Sequence, residues 1–164
     1  MRAFLLVLSM VGLVGLASCS KFKTYDGPEV TRVLVYKESR MMYLMHDETV
    51  LATHQIDLGF APEGDKEREG DGKTPEGSYI IDRKNPNSEF HLSLGINYPD
   101  STDREDAKEA GNNPGGDIFI HGGPTDWRDR NKPDWTAGCI AVSDDEIEDI
   151  YAMVNVGTPI EIYP

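Results

Sequence analysis

The chain has 164 residues and a formal charge of −13, with 29 Asp and Glu against 16 Lys and Arg. So acidic a balance excludes a nucleic-acid partner, and the length suits one domain with an adequate core. It carries only two cysteines and four histidines, and none stand at metal-ligand spacing such as H-x-x-x-H or C-x-x-C, so neither metal nor cofactor is expected.

Residues 1–18 form a targeting segment. Arg2 supplies a positive start, and Ala3 to Leu16 is almost continuously apolar but short for a membrane span. Leu16-Ala17-Ser18-Cys19 resembles a lipoprotein signal-peptidase box, which implies cleavage before Cys19 and lipid on that residue. An ordinary secretory signal is the alternative, and either one exports the chain. Ser20, in place of an Asp, leans towards a lipid-anchored protein on the periplasmic face of the outer membrane. Loss of residues 1–18 removes Arg2 and no acidic residue, so the charge of −13 becomes −14. Cys139 is then the sole free thiol unless an unlipidated Cys19 pairs with it, and a sole thiol in an oxidising compartment hints at reactivity.

Residues 19–29 are a polar tether, and the domain runs over 30–164. Val30 to Tyr36, Met41 to His46 and Thr49 to Leu58 predict an antiparallel meander. His46 and His54 fall in or beside these strands, in structural or surface roles. Gly59 to Gly77 is a charged loop ending in Lys73-Thr74-Pro75-Glu76-Gly77, a fixed turn. Ser78 to Arg83 and Phe90 to Leu94 follow as strands, with His91 on the second. Ser101 to Ala110 suits a short helix ended by Gly111, and Asp117 to His121 is a strand. Ser143 and Glu146 form a capping box, and Ile147, Ile150, Tyr151 and Val154 make one apolar helical stripe. Thr158 to Tyr163 closes the chain as a strand, and Pro159 suggests an edge position. No internal repeat is visible.

The chemistry-bearing stretch is Thr136-Ala137-Gly138-Cys139-Ile140, read with His121-Gly122-Gly123. Glycine before a nucleophile permits a tight turn and a close backbone approach. A cysteine needs a base or a positive neighbour for activation, and His121, ending a strand, is the natural base. These motifs, together with Lys73-Thr74-Pro75-Glu76-Gly77, Leu92 to Pro99 and Gly115 to Gly122, resemble the L,D-transpeptidase (YkuD-type) catalytic domain over most of the chain from Val30 onward.

The resemblance implies a mainly β fold, a β-sandwich or open barrel with one or two short helices. It implies Cys139 as nucleophile, His121 as base, the Gly122 carbonyl orienting His121 whatever the side chain at 122, and Gly138 in the oxyanion turn. It further implies transfer of a peptidoglycan tetrapeptide stem, through a thioester, to an amine. Thr136, Trp127, Arg128, Arg130, Trp135 and His91 are the candidate substrate contacts; packing of the two Trp side chains onto the sheet is the alternative for that pair. Two positions depart from the common pattern: Ala137 replaces a His and Ala141 an Arg, which leaves the acceptor open. Water in place of the amine would make a hydrolase of the same site. A peptidoglycan-binding lipoprotein without catalysis is a further alternative. A papain-like protease is disfavoured by the residue order.

Overall fold

The computed structural model describes residues 20–164; the leader and Cys19 lie outside the described residues. One eight-stranded sheet carries the molecule, built from β1 (Arg32–Tyr36), β2 (Met41–His46), β3 (Thr49–Gln55), β4 (Gly77–Asn85), β5 (Ser93–Ile96), β6 (Phe119–His121), β7 (Ile140–Ala141) and β8 (Pro159–Tyr163). The spatial order is β3-β2-β1-β8-β4-β5-β6-β7. The β1–β8 and β6–β7 pairs are parallel and the rest antiparallel.

The sheet curls until its edges meet. The chain leaving β3 exchanges both backbone hydrogen bonds between Asp57 and Ala141 of β7, at 2.9 and 2.8 Å. Thr136 N–H then donates to the Leu58 carbonyl and Phe60 N–H to the Thr136 carbonyl. The fold is thus mainly β, in the open-barrel sense expected. Alternation explains the inside: Val33 and Val35, Met42 and Leu44, Ile160 and Ile162 face inward from the meander half, and Leu94, Ile96, Ile120 and Ile140 from the other. Burying each such side chain contributes about 1.5–3 kcal/mol.

Two helices complete it. α1 (Ser101–Glu109) is capped by Asp100 in a reciprocal box with Asp103. α2 (Asp144–Met153) starts at the expected Ser143–Glu146 box, and its fully buried Ile147 and Ile150 lay it against β5 and β6.

Several expectations change, one being that β6 begins at Phe119 and not at Asp117, whose φ of 55° is outside the extended region. β3 ends at Gln55 and not at Leu58, because the following residues turn away from β2 to close the barrel. β5 starts at Ser93, since His91 has φ 67° and breaks the extended run expected from Phe90. Pro159 opens a central strand between β1 and β8's other neighbour β4, where a proline is accommodated as the first residue.

Candidate active site

His121 and Cys139 are brought together by the parallel pairing of β6 with β7. His121 is in register with Ala141, and Ile120 with Ile140, so Cys139, just before β7, stands level with Phe119. Side chains alternate along a strand, which puts Cys139 and His121 on one face, diagonal to each other. Both line two adjoining clefts of about 330 and 250 Å³.

The His121 ring is fixed on every side. Its Nδ1 lies 2.7 Å from the carbonyl oxygen of Gly122. A carbonyl only accepts, so Nδ1 carries the proton and Nε2 presents a lone pair. Gly122 N–H donates in turn to the Phe90 carbonyl at 3.0 Å. No side chain fits at 122, contrary to the expectation of a permissive position. A Cβ there would lie 2.5 Å from Asp144 Oδ1 and 2.7 Å from the Phe90 carbonyl oxygen. The imidazole stacks on Phe90 at 4.5 Å between centroids and meets Trp135 edge-on at 5.5 Å. Burial pushes its pKa down, only partly opposed by the Gly122 carbonyl.

The turn bearing Cys139 is equally constrained. Thr136 Oγ1 donates to the Cys139 carbonyl at 2.7 Å and accepts from Gly138 N–H at 3.1 Å. Gly138 has φ 138°, and a Cβ on it would lie 2.7 Å from the Lys73 carbonyl oxygen. This is where the Lys73–Gly77 turn frames the site. Gly138 N–H is spent on Thr136, whereas Cys139 N–H has no protein acceptor among the described residues and is free for an oxyanion. The Cys139 thiol donates to the Asp117 carbonyl at 3.5 Å. Burial raises its pKa, as does the Asp117 charge, against lowering by a backbone contact at Phe119 and by the Lys66 charge. The resting forms are therefore a neutral thiol and a neutral imidazole lining the same clefts.

The other candidates divide. Thr136 and Trp135 line the 330 Å³ cleft with Phe90, Thr125, Asp126 and Asp129. Thr136 spends its hydroxyl shaping the Cys139 turn, and Trp135 packs on His121. Trp127 is 75% exposed and lines none of the clefts that reach Cys139. Arg128 points outward and binds Asp126 two residues away, and Arg130 lines a different cleft at the start of α2. His91 turns from the site to Glu148 of α2, Nε2 to Oε1 2.8 Å, because its positive φ swings it outward and delivers its neighbour Phe90 to His121. Phe90 is the residue that sequence reasoning missed. The only signal was its adjacency to His91, and a one-residue change of face cannot be read from a segment that is neither strand nor helix. The other two histidines are peripheral: His46 contacts the Glu29 carbonyl, and buried His54 sits 3.4 Å from Glu146.

Comparison with known proteins places this arrangement. The YkuD family, described as the L,D-transpeptidase catalytic domain, matches residues 30–162. YafK of Escherichia coli K12, itself assigned to the L,D-transpeptidases only provisionally, is 27% identical over an alignment covering all of this chain and 71% of that protein. The helical cell shape determining protein Pgp2 of Campylobacter jejuni superposes with a TM-score of 0.63 and 28% identity, covering 84% of this chain and 49% of Pgp2. An L,D-transpeptidase from Mycobacterium smegmatis, at 16% identity and TM-score 0.55 over 82% of this chain and 59% of its own, shares the fold. The chain spans about half the length of the solved Pgp2 structure it matches. The chain belongs to the L,D-transpeptidase catalytic-domain family.

Proposed function

We propose that this member of the L,D-transpeptidase family is a cysteine acyltransferase acting on peptidoglycan stem peptides, with Cys139 as nucleophile and His121 as its base. One observation carries the reading: His121 Nδ1 is held on the Gly122 carbonyl, which leaves Nε2 as the proton acceptor of a ring that lines two clefts with Cys139. Because burial favours the neutral forms of both groups, the proton moves as the sulfur attacks, without a standing ion pair.

In the first half-reaction Sγ bonds to the peptide carbonyl carbon while its proton passes to Nε2. The oxyanion meets the free N–H of Cys139, a class of contact worth about 3 kcal/mol of barrier. The C–N bond then breaks, His121 returns the proton to the departing amine, and a thioester remains. In the second half an acceptor amine gives its proton to His121 and attacks the thioester, and the thiol is regenerated. The clefts that include His121 are lined by Asp126, Asp129, Glu89 and Asp117 and by no Lys or Arg, which suits an acceptor that arrives as its ammonium and releases one proton to solvent before the neutral amine attacks. In this reading the protein works in the periplasm, tethered by lipid at Cys19.

The test is to incubate the protein and its Cys139→Ala variant with disaccharide tetrapeptide and follow products by mass spectrometry. Cross-linked dimer with loss of the terminal residue, absent in the variant, is the expected result, and acyl chains on Cys19 of membrane-extracted protein accompany it. Tripeptide alone would reassign the acceptor to water. Folded protein with no product from either tetrapeptide or cross-linked dimer would leave only binding. The acylation rate should fall as pH drops through a value below the ordinary histidine pKa of 6.5, because protonated His121 cannot act as base.

A further inference from the structure

Cys139 borders a third cleft, about 660 Å³, which His121 does not line. Its walls are the 66–70 stretch of the charged loop and the 113–118 segment leading into β6. A single base serves both the departing amine and the incoming one, so both must lie on the His121 side of the scissile carbonyl. The acyl part of the donor is left with the cleft away from His121, and this is the largest of the three at the nucleophile.

The charge of that cleft differs from the others. Of the residues lining the three, Lys66 alone is a Lys or Arg. It is only 8% exposed. Its ammonium has three N–H donors, and two are used among the described residues, on the Arg68 carbonyl at 3.0 Å and Asp71 Oδ1 at 2.8 Å. One donor is left in a group that burial makes costly to leave unsatisfied. Asp71 does not cancel the attraction outright, since its carboxylate also accepts the N–H groups of Glu67, Arg68 and Lys73. Two carboxylates also line the cleft: Glu69 accepts from Asn113 at 2.7 Å, and Asp117, its side chain 89% exposed, pairs with Arg83 at 3.2 Å. The Lys66 charge is also felt at the Cys139 thiol, which it pulls down in pKa.

We propose that Lys66 is a specificity-determining residue for the acyl donor, binding an internal carboxylate of the stem peptide in the cleft away from His121. The assignment of donor side rests on the acyltransferase reading above; the carboxylate site itself does not. The experiment titrates three tetrapeptides into the Cys139→Ala protein for Kd, and turns them over with the active protein for KM and kcat. One peptide has all carboxylates free, one is amidated only at its C-terminus, and one is amidated only at its internal carboxylates. Internal amidation should raise both Kd and KM roughly tenfold or more, the scale of one charge-assisted hydrogen bond. In Lys66→Gln the free-acid peptide should bind as weakly as the internal amide does in the parent, with kcat changed far less. Lys66→Arg should recover part of the discrimination.

A penalty confined to C-terminal amidation, or undiminished discrimination in a folded Lys66→Gln protein, overturns the proposal. If Lys66→Gln does not fold, the parent's peptide series decides alone: equal Kd for the free and internally amidated peptides overturns it. Discrimination in Kd without turnover of any peptide would sustain the site while removing the acyltransferase reading.

Discussion

Two loops wall Cys139, and they are built on opposite principles. The 59–77 loop is tied down by buried charge. Lys37, 2% exposed, reaches into it from the end of β1 and donates to the Gly64 carbonyl, the Thr74 carbonyl and Glu76. Lys66 and Asp71 close a second buried pair, and so many donors converge on Asp71 that its pKa, despite burial, drops to about 2. The loop's backbone then touches the Cys139 turn directly, with Gly59 so close that a Cβ on it would sit 3.0 Å from the Gly138 Cα. The 124–134 loop makes its charged contacts within itself, Arg128 with Asp126 and Lys132 with Asp129, and is anchored at its end, where Asp134 takes Arg40 and Leu58 N–H. The first loop is a fixed wall that sets the turn bearing Cys139; the second covers the His121 side without setting it.

The largest expected effect tests whether the fixed wall sets the turn. Gly138→Ala adds a Cβ 2.7 Å from the Lys73 carbonyl at a φ of 138°, so either the wall or the nucleophile must move. Backbone strain alone costs about 1–3 kcal/mol, and a displacement near 1 Å lowers a positioned reaction by about 100-fold. Thioester formation, followed by intact-protein mass, should fall by that order. A folded variant acylating at the parent rate would show that the turn does not depend on this contact.

Lys37→Met comes next and acts at a distance from the chemistry. It leaves two carbonyls and the Glu76 carboxylate without their shared donor. Breaking a buried pair from one side costs about 3 kcal/mol, read as a drop in unfolding free energy in urea. Acylation per folded molecule should drop with it if the wall supports the turn. Lost stability with unchanged acylation would separate the two and weaken the comparison.

Neither loop's construction was legible in the sequence, and the reason is physical. Periodicity and capping reveal elements whose partners are local, which is why the meander, the Ser143–Glu146 box and the stripe of α2 are readable from the sequence. The candidate pair is legible through the His121-Gly122 and Thr136-x-Gly138-Cys139 motifs, which the fold sets at the end of β6 and just before β7. A charged loop reads as solvated, yet Lys37 meets Glu76 only once the sheet brings the end of β1 beside the loop, and the burial of the Lys66–Asp71 pair, five residues apart, leaves no mark in the sequence. The same blindness hid Phe90 and favoured His91. Arginine was also the expected ligand for a carboxylate-bearing substrate, but Arg128 is satisfied by a neighbour two residues away and Lys66 occupies the cleft instead.

The smallest expected effect is the sharpest check on the second loop. Trp127 is 75% exposed and the Arg128 side chain 72%, and the Arg128–Asp126 pair is open to solvent on the arginine side. Exposed ion pairs contribute about 0–1 kcal/mol, and surface substitutions away from special features usually stay within about 0.5 kcal/mol. Trp127→Ala and Arg128→Ala should leave the urea midpoint and the KM for tetrapeptide within about twofold of the parent. Asp126 is different, because it lines the cleft shared with His121 and Cys139. Freed of Arg128, its carboxylate gains charge to offer an amine, so any change in Arg128→Ala should favour the acceptor step over donor binding. A large rise in KM for the donor would instead mean that this loop folds down to grip the stem peptide, and the division of labour between the two walls would fall with it.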